Sequence, residues 1–261
     1  MRAARAAVLE AKGLSYALGS VPIIKDFHLR IEAGQVLGLI GPNGAGKTTL
    51  LDLLSGLAFP DRGAVFLNGG DITRLAPYRR ARLGLARTFQ ESPAVADMTV
   101  REHLELACDC TRIQGTAHPA TSPSRLLAMF GLADLAGRRG ARLPTLHRRL
   151  LDFARATGTR PCVMLLDEPF AGLEARHVAL LVAAIERLRK NGGAVLVIEH
   201  RLALLDSVAD AVVAIVGGEH VASGTLSEVL RNTGVQEAFL GASAGAPDKP
   251  DSRRESEASG V

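Results

Sequence analysis

A glycine-rich segment between an apolar run and a helix-like run constrains this chain more than any other feature. The segment reads Gly41, Pro42, Asn43, Gly44, Ala45, Gly46, Lys47 and Thr48, and Thr49 continues into the next run. The preceding residues, 36–40, have the length of a buried strand, and residues 48–54 have the spacing of a helix that ends near Gly56. Strand, glycine-rich loop and helix in this order predict a phosphate-binding loop.

The residue types of the loop suit a nucleoside triphosphate. Glycines let backbone N–H groups close around phosphates, and the following helix adds a favourable dipole. Lys47 is expected to pair with the β- and γ-phosphates, and the Thr48 hydroxyl to ligate Mg²⁺. A glycine turn that fits the pattern by chance is the alternative. We therefore predict ATP and Mg²⁺ as ligands, provided that acidic partners occur elsewhere.

Such partners follow a second apolar run. Residues 163–166 are apolar, and Asp167 and Glu168 come directly after them. In α/β sheets, ligands bind at the carboxyl ends of the strands. Asp167 is placed to bind Mg²⁺, mostly through water, and Glu168 to polarise the water that attacks the γ-phosphate. Two adjacent acids could also form a solvated loop, but beside a glycine loop of this kind ATP hydrolysis is favoured.

The wider pattern predicts one domain over residues 8–241. Strand-like runs at 194–198 and 212–216, with a helix-like run at 178–190, indicate parallel strands and crossover helices. From about 95 to 150 the pattern becomes helical, which predicts an inserted helical lobe. Residues 115–124 form a Thr-, Pro- and Ser-rich connector within it, residues 1–7 a short frayed extension, and residues 242–261 a disordered tail.

Composition excludes several function classes. No apolar run approaches the roughly 18 residues that span a bilayer, so any membrane role is peripheral. Three cysteines fit neither a disulfide framework nor a zinc site, and a reducing cytosol is the simpler context. The net charge of +4 comes with only 4% aromatic residues, which disfavours nucleic acid and is compatible with a membrane surface.

These segments, together with Gln90 and with His200 at the end of the run 196–200, resemble ABC ATPase domains over residues 10–241. The resemblance implies an α/β P-loop NTPase core with an antiparallel β subdomain and an inserted helical subdomain. It implies that Gln90 senses Mg²⁺ and nucleotide and couples to the membrane subunit, and that His200 contacts the γ-phosphate. It also implies two membrane permease subunits and a second ATPase subunit, at the cytoplasmic face of the inner or plasma membrane.

Finer resemblance points to one branch of that family. Residues 84–90, which end Ala-Arg-Thr-Phe-Gln, are similar to the branched-chain amino acid importers, in which a solute-binding protein takes part indirectly. Residues 98–103, 198–200, 224–229 and 237–241 are also similar to that branch. Lipopolysaccharide exporters share residues 167–172 and a similar ending, so both remain open, with the importers favoured. Branched-chain amino acids, other amino acids, urea and short amides are all open as solutes.

One family motif is degenerate. The signature Leu-Ser-Gly-Gly-Gln aligns with Leu143, Pro144, Thr145, Leu146 and His147. Pro144 offers neither hydroxyl nor N–H, and the next two residues replace glycines that allow close backbone approach. In this family each subunit's signature caps the nucleotide of the other subunit. The sequence therefore favours a heterodimer, in which an intact partner signature completes this chain's site, over a homodimer.

Two smaller departures accompany it. Glu174 stands where Asp or Asn is usual, and the adenine-stacking aromatic aligns near Leu18. Tyr16, two residues earlier on the same strand, would share its face and could substitute.

Two other function classes compete with a transport ATPase. One is a regulatory nucleotide-binding subunit with little turnover, which the retained Lys47, Asp167, Glu168 and His200 disfavour. The other is a soluble ABC ATPase acting on nucleic acid, ribosomes or protein assembly; many of these carry two ATPase domains or long coiled coils, and this chain has neither.

Overall fold

The protein is described by a computed structural model at residues 7–88, 97–112 and 122–244, with backbone only at 110–112 and 241–244. The predicted frayed start, Gln90, most of the connector at 115–124 and nearly all of the predicted tail lie outside this part of the chain. Within the described residues, no helix is both long enough and apolar enough to cross a bilayer.

Two sheets form the framework. The first is antiparallel, with strand order β2-β1-β4-β5, and the second runs β10-β9-β3-β8-β7-β6. Their strands are β1 (Ala7–Leu18), β2 (Val21–Glu32), β3 (Val36–Ile40), β4 (Arg62–Leu67), β5 (Gly70–Asp71), β6 (Leu85–Arg87), β7 (Val163–Asp167), β8 (Ala194–Ile198), β9 (Ala211–Val216) and β10 (Glu219–Gly224).

The second sheet is mostly parallel, as predicted. Strands β3, β8, β7 and β9 pair in parallel, β6 adds to β7 at one edge, and β10 pairs antiparallel with β9. Every residue of β3, β7 and β8 is buried. Strands covered on both faces read as continuous apolar runs, which is why these three could be found from the sequence.

Helices cover both faces of this sheet. They are α1 (Lys47–Ser55), α2 (Pro77–Arg82), α3 (Val100–Arg112), α4 (Pro123–Met129), α5 (Thr145–Gly158), α6 (Ala175–Lys190), α7 (Leu202–Val208), α8 (Leu226–Leu230) and α9 (Thr233–Ala244), with 3₁₀ turns at Ala133–Leu135 and Gly140–Arg142. Helices α3, α4 and α5 pack on one another through a buried cluster that includes Leu104, Leu126 and Phe153. This helical group occupies the stretch where the sequence predicts an inserted lobe.

The first helix is fixed at its C-terminus by an arginine. Helix α1 ends at Gly56, whose backbone is left-handed at φ 82°. The fully buried Arg80 donates to the carbonyls of Leu53 (2.6 Å) and Leu54 (2.8 Å) at that end, and to those of Thr73 and Leu75. Burial lowers the pKa of Arg80 to about 10, against the opposing effect of Asp71. A cation at a helix C-terminus is favoured by the helix dipole, so Arg80 holds α1 in place behind the loop.

Candidate active site

Three neighbouring strands deliver the predicted residues to one edge of the second sheet. The glycine loop follows β3, His200 lies two residues beyond β8, and Asp167 and Glu168 lie at the end of β7. Since β3 pairs with β8 and β8 with β7, all in parallel, these three ends are adjacent. The fold thus brings the glycine loop, Asp167, Glu168 and His200 to one place, while the predicted Gln90 lies outside the described residues.

The loop needs glycine at defined positions. Gly44 and Gly46 are left-handed, with φ of 77° and 100°. A Cβ on Gly46 would lie 2.8 Å from the Ile24 side chain, and one on Gly41 would lie 2.2 Å from the Ile215 carbonyl oxygen. The loop is therefore packed against β2 and β9 on its outer side, which leaves its backbone curved around the start of α1.

Lys47 lies inside this curve. Its Nζ donates to the carbonyl oxygens of Gly41 at 2.7 Å and Pro42 at 2.9 Å. Burial lowers the pKa of Lys47, while the nearby Glu168 and Asp167 carboxylates raise it. A phosphate bound in the curve would give the ammonium charged acceptors in place of two neutral carbonyls, a stronger kind of hydrogen bond.

Asp167 is the buried acid of the pair. It is only 8% exposed, and burial raises its pKa, with Glu168 and Asp52 acting in the same direction and the Arg87 and Lys47 cations opposing them. The Thr48 hydroxyl and the Asp167 carboxylate are hard oxygen donors, which suit Mg²⁺. Among the described residues no cluster of three or more His, Cys, Asp or Glu could hold a metal by itself. A cation bound here would therefore depend on phosphate and water for its remaining ligands, as Mg²⁺ does in nucleotide sites.

Glu168 and His200 form a direct pair. The His200 Nε2 lies 2.8 Å from the Glu168 Oε1, and both side chains are partly exposed. Glu168 has a left-handed backbone, φ 45°, and its N–H donates to the Ile198 carbonyl of the adjacent strand at 3.0 Å. This hydrogen bond ties the Glu168 backbone to the end of β8, which leads to His200. The pair can hold a water and accept its proton through the carboxylate.

A buried acid supports the histidine. The Oε1 of Glu199, a residue only 4% exposed, accepts the N–H groups of His200 and Arg201, each at 3.1 Å. Arg201 in turn donates to the Phe170 carbonyl, just beyond Glu168. The loop after β8 is thereby tied to the loop after β7. Sequence reasoning gave Glu199 no role, although its position beside His200 was the available signal.

Arg87 and Asp52 were also without a predicted role. Arg87 ends β6, and its Nη1 lies 2.6 Å from the Asp52 Oδ1 and 2.9 Å from the Ser55 Oγ of α1. The sequence offered Arg87 only as part of the segment that resembles the importers.

Tyr16, predicted to stack on adenine in place of Leu18, lies near the end of β1. The β1–β2 register shifts on either side of Tyr16, which pairs with Ile24, whereas Leu18 pairs with Val21. Tyr16 packs partly against the buried cluster of the first sheet, and Leu18 and Val21 are exposed at 68% and 58%. The extra residue at the shift between Tyr16 and Ala17 lies in β2, whose paired residues skip from Ile24 to Pro22, so two residues of separation still place Tyr16 and Leu18 on one side of β1. Adenine stacking by Tyr16 remains a prediction.

The residues predicted to stand in place of the family signature, 143–147, lie at the start of α5. Pro144 precedes the helix in an extended conformation and provides no side-chain cap. Leu143 is buried, Leu146 packs partly on the helical cluster, and Thr145 is exposed. Its Oγ1 accepts a bond from the Arg148 guanidinium at 3.2 Å. These side chains occupy the helix start that the family motif leaves open with glycines.

A groove of about 490 Å³ lies between the α1–α2 region and the helical group. It is mainly apolar, and exposed hydrophobic side chains of Leu57, Tyr78 and Leu106 line it. Arg87, Asp152 and Arg155 add charge. The groove includes Arg87, which is close in sequence to the predicted coupling residue Gln90. It does not include the residues at the sheet edge where the glycine loop, Asp167 and Glu168 meet. The groove is therefore a candidate surface for a partner.

Comparison with known proteins agrees with this geometry. A family model described as ABC transporter matches residues 24–171. The high-affinity branched-chain amino acid transport ATP-binding protein BraF of Pseudomonas aeruginosa is 35% identical over 249 residues, covering 90% of this chain and 98% of BraF. The lipopolysaccharide export system ATP-binding protein LptB of Escherichia coli K12 is 31% identical over 235 residues, covering 90% of this chain and 98% of LptB.

A solved structure supports the fold. The ADP conformation of MJ1267, an ATP-binding cassette of an ABC transporter, superposes with a TM-score of 0.77 at 26% identity, covering 90% of this chain and 99% of MJ1267. The predicted fold class is confirmed.

Proposed function

The chain belongs to the ABC transporter family as an ATP-binding cassette ATPase, and from that premise we propose that it energises an importer of branched-chain or related amino acids. The observation that carries the hydrolytic part is the Glu168–His200 pair at 2.8 Å, held on strands that neighbour the phosphate loop. The solute class is supported by the 35% identity to BraF over nearly the whole chain.

In the proposed reaction each residue has one task. The loop amides and Lys47 hold the phosphates, and Glu168 accepts the proton of the attacking water while His200 keeps that carboxylate aligned. Mg²⁺, when bound at Thr48 and Asp167, would neutralise charge on the phosphate oxygens. Gln90 is proposed to complete the metal site and to sense the membrane subunit. Glu199 fixes the backbone of His200 by accepting its N–H.

We further propose that the ATP held by this chain is hydrolysed against the signature of a different subunit. The start of α5 offers Pro144 and the side chains of Thr145 and Leu146 where the family uses Ser-Gly-Gly. Each preorganised donor to a transition-state charge is worth about 2.7–4 kcal/mol, so two copies of this chain would form a poor composite site. A heterodimer with an intact partner signature retains one complete site.

The partners proposed at the membrane are two permease subunits. ABC ATP-binding subunits work with membrane components, and the apolar groove beside Leu57, Tyr78 and Leu106 suits an amphipathic helix of such a component. The proposed location is the cytoplasmic face of the membrane, with the contact of the solute-binding protein made only through the permease.

Purification of the tagged chain with its membrane subunits tests the proposal. We expect co-purification of two permease chains and a second ATP-binding subunit, and ATPase activity that rises with a solute-binding protein loaded with leucine or a related amino acid. Glu168→Gln in the same complex should stop turnover and retain bound ATP, whereas a regulatory subunit would leave turnover unchanged.

The similarity to LptB supplies the second candidate. If the complex copurifies with lipopolysaccharide and its ATPase activity does not respond to amino acids, an export function replaces the proposed import function. If no membrane subunit copurifies with the chain, the proposed role in transport is wrong.

A further inference from the structure

An arginine-rich stretch leads into α2 and continues beyond it. Residues 72–90 contain five arginines and no acidic residue. Two of these arginines have partners inside the protein, since Arg80 is buried and donates to backbone carbonyls, and Arg87 pairs with Asp52. The other three are exposed, and they are Arg74, Arg79 and Arg82. The stretch therefore keeps three positive charges at the surface.

These three arginines have no acidic partner within the part of the chain that the structure describes. None of the ion pairs there includes Arg74, Arg79 or Arg82. The guanidinium carbons of Arg79 and Arg82 lie 6.0 and 5.7 Å from the ring centroid of Tyr78. The Arg79 Nε also donates to the Tyr78 hydroxyl at 3.2 Å. Two cations without a counter-ion thus lie around one aromatic ring.

Exposed apolar side chains accompany these charges. Tyr78 of α2 and Leu83, directly after α2, are each more than half exposed, at 57% and 51%. Leu57 and Phe59, in the loop after α1, are also exposed. This loop lies close to α2, because Arg80 of α2 bonds to the last carbonyls of α1. Large apolar side chains beside unpaired arginines are typical of a surface that lies in the headgroup region of a membrane.

This surface is separate from the nucleotide site. The phosphate loop lies at the N-terminus of α1 and the surface at its C-terminus, about 13 Å away along nine residues. Leu57 and Tyr78 line the apolar groove, whereas Phe59, Leu83 and the three arginines do not. A permease segment in the groove would therefore leave most of this surface uncovered.

We propose that three arginines and two apolar residues in and around α2 bind the headgroups of anionic phospholipids. This lipid-facing patch consists of Arg74, Arg79, Arg82, Tyr78 and Leu83. The guanidinium groups meet the phosphates, which their planar donors suit, and the apolar side chains enter the headgroup region. The proposal rests on the proposed membrane location and goes beyond it, because it adds a lipid contact to the permease contact.

An acidic protein segment is the other class of occupant. The three arginines do not line the groove, which is the concave surface beside them. An anionic bilayer needs no concave surface, because its charge attracts every basic residue within a screening length of it. The position of the charges therefore favours lipid.

Sedimentation of the isolated chain with phospholipid vesicles tests the proposal. Binding to phosphatidylcholine vesicles that contain about 30% phosphatidylglycerol should be about 10-fold tighter, or more, than binding to phosphatidylcholine alone. Each basic residue near such a surface contributes about 5-fold in affinity, so the double variant Arg79→Gln, Arg82→Gln should bind about 25-fold more weakly. Equal binding of the wild-type chain to both kinds of vesicle overturns the proposal.

The double variant Arg125→Gln, Arg138→Gln is the matched control. It removes the same two charges from exposed arginines of the helical group. It should weaken vesicle binding by no more than about 2-fold, because these arginines lie outside the patch. If both double variants weaken binding equally, the net charge of the chain governs binding and the patch has no role. Unchanged ATP affinity in both variants shows that they are folded.

A fluorescent side chain identifies the surface that meets lipid. The chain contains no tryptophan, so Tyr78→Trp reports on this position alone. Its emission should shift to the blue with vesicles that contain phosphatidylglycerol and stay unchanged with phosphatidylcholine alone. Leu240→Trp is the control, because Leu240 is exposed on α9, which packs on β9 and β10 at the other end of the sheet from β6. An equal or larger shift at Leu240→Trp contradicts the proposal.

Failure of this proposal and failure of the proposed function give different results. A chain that copurifies with permease subunits but shows no preference for anionic vesicles keeps its role in transport and loses the lipid-facing patch. If Arg79→Gln, Arg82→Gln loses the permease subunits and binds vesicles as the wild-type chain does, the patch is a protein contact and the lipid proposal is wrong. Vesicle binding as expected without any copurifying membrane subunit supports the patch and counts against the proposed function.

Discussion

Two helix starts in this molecule, those of α1 and α5, resemble each other locally and differ in what they can bind. Neither has a side-chain cap, and neither carries an acid in its first turn, so both present backbone N–H groups. Before α1 stands Gly46 in a left-handed conformation, whereas before α5 stands the extended Pro144. The free N–H groups of a helix are therefore not sufficient; the shape of the residues before them decides whether a phosphate can approach.

The surroundings of the two helices differ in the same sense. Helix α1 is fixed behind the loop by Arg80 at its C-terminus, and its first residue, Lys47, lies near the carboxylates of Asp167 and Glu168. Helix α5 starts at the surface, with Thr145 exposed and Leu146 packed back on the helical cluster. This contrast between the starts of α1 and α5 is what supports the proposed heterodimer.

The largest expected effect comes from a substitution in the half of the nucleotide site that contains the phosphate loop. Glu168→Gln removes the carboxylate that accepts the proton, and we expect the ATPase rate of the assembled complex to fall by about 10²–10⁴-fold. ATP binding should persist, because the loop and Lys47 are untouched. The ATPase rate is measured as phosphate release, and ATP binding is measured by a filter assay with labelled ATP. A variant that keeps more than a tenth of the rate would show that another residue is the base.

Restoring the family signature at the start of α5 should produce the next largest effect. Pro144→Ser, Thr145→Gly, Leu146→Gly and His147→Gln together restore the family motif. The purified chain alone should then gain about 10²-fold in cooperative ATPase activity, since donors of about 2.7–4 kcal/mol each are returned.

Pro144→Ser alone is the matched control for that gain. It returns the hydroxyl and N–H but keeps two side chains in the way, so a much smaller gain is expected. If the unaltered chain already shows full cooperative activity as a homodimer, the asymmetry between α1 and α5 has no functional consequence.

Removing the support of α1 should lower stability. Arg80→Met leaves four carbonyls without their donor, two of them at the end of α1, and we expect the free energy of unfolding to fall by about 3 kcal/mol. Urea denaturation measures it. Arg79→Met, the exposed neighbour in α2, should change stability by no more than about 0.5 kcal/mol. Equal effects of the two variants would mean that Arg80 does not hold the helix.

The smallest effect concerns Asp167 and pH. Burial raises its pKa, so the folded chain holds this proton more tightly than the unfolded chain does. The contribution of Asp167 to stability is therefore highest below its unfolded pKa and declines as pH rises through its folded pKa. At neutral pH, Asp167→Asn should raise the Tm of the nucleotide-free chain slightly, and the gain should vanish at acidic pH. A lower Tm at neutral pH would contradict it.

The sequence by itself determined the α/β fold and most of the site. The strands β3, β7 and β8 are short apolar runs because both of their faces are covered. The glycine loop at 41–48 follows β3, Asp167 and Glu168 lie at the end of β7, and His200 lies just after β8. Motif order along the chain was enough to predict that those residues meet, since parallel strands bring their carboxyl ends to one edge. The sequence also predicts a degenerate signature at residues 143–147, because proline offers neither the hydroxyl nor the N–H of serine.

Only the tertiary structure decided which side chains meet across long separations. Arg87 and Asp52 pair although they are 35 residues apart in the sequence, and Arg80 reaches carbonyls 26 and 27 residues away. The register shifts in the β1–β2 pair, which the sequence did not predict, are likewise a property of strand pairing. The physical reason is that contacts of this kind depend on packing of whole elements, and local periodicity carries no information about it.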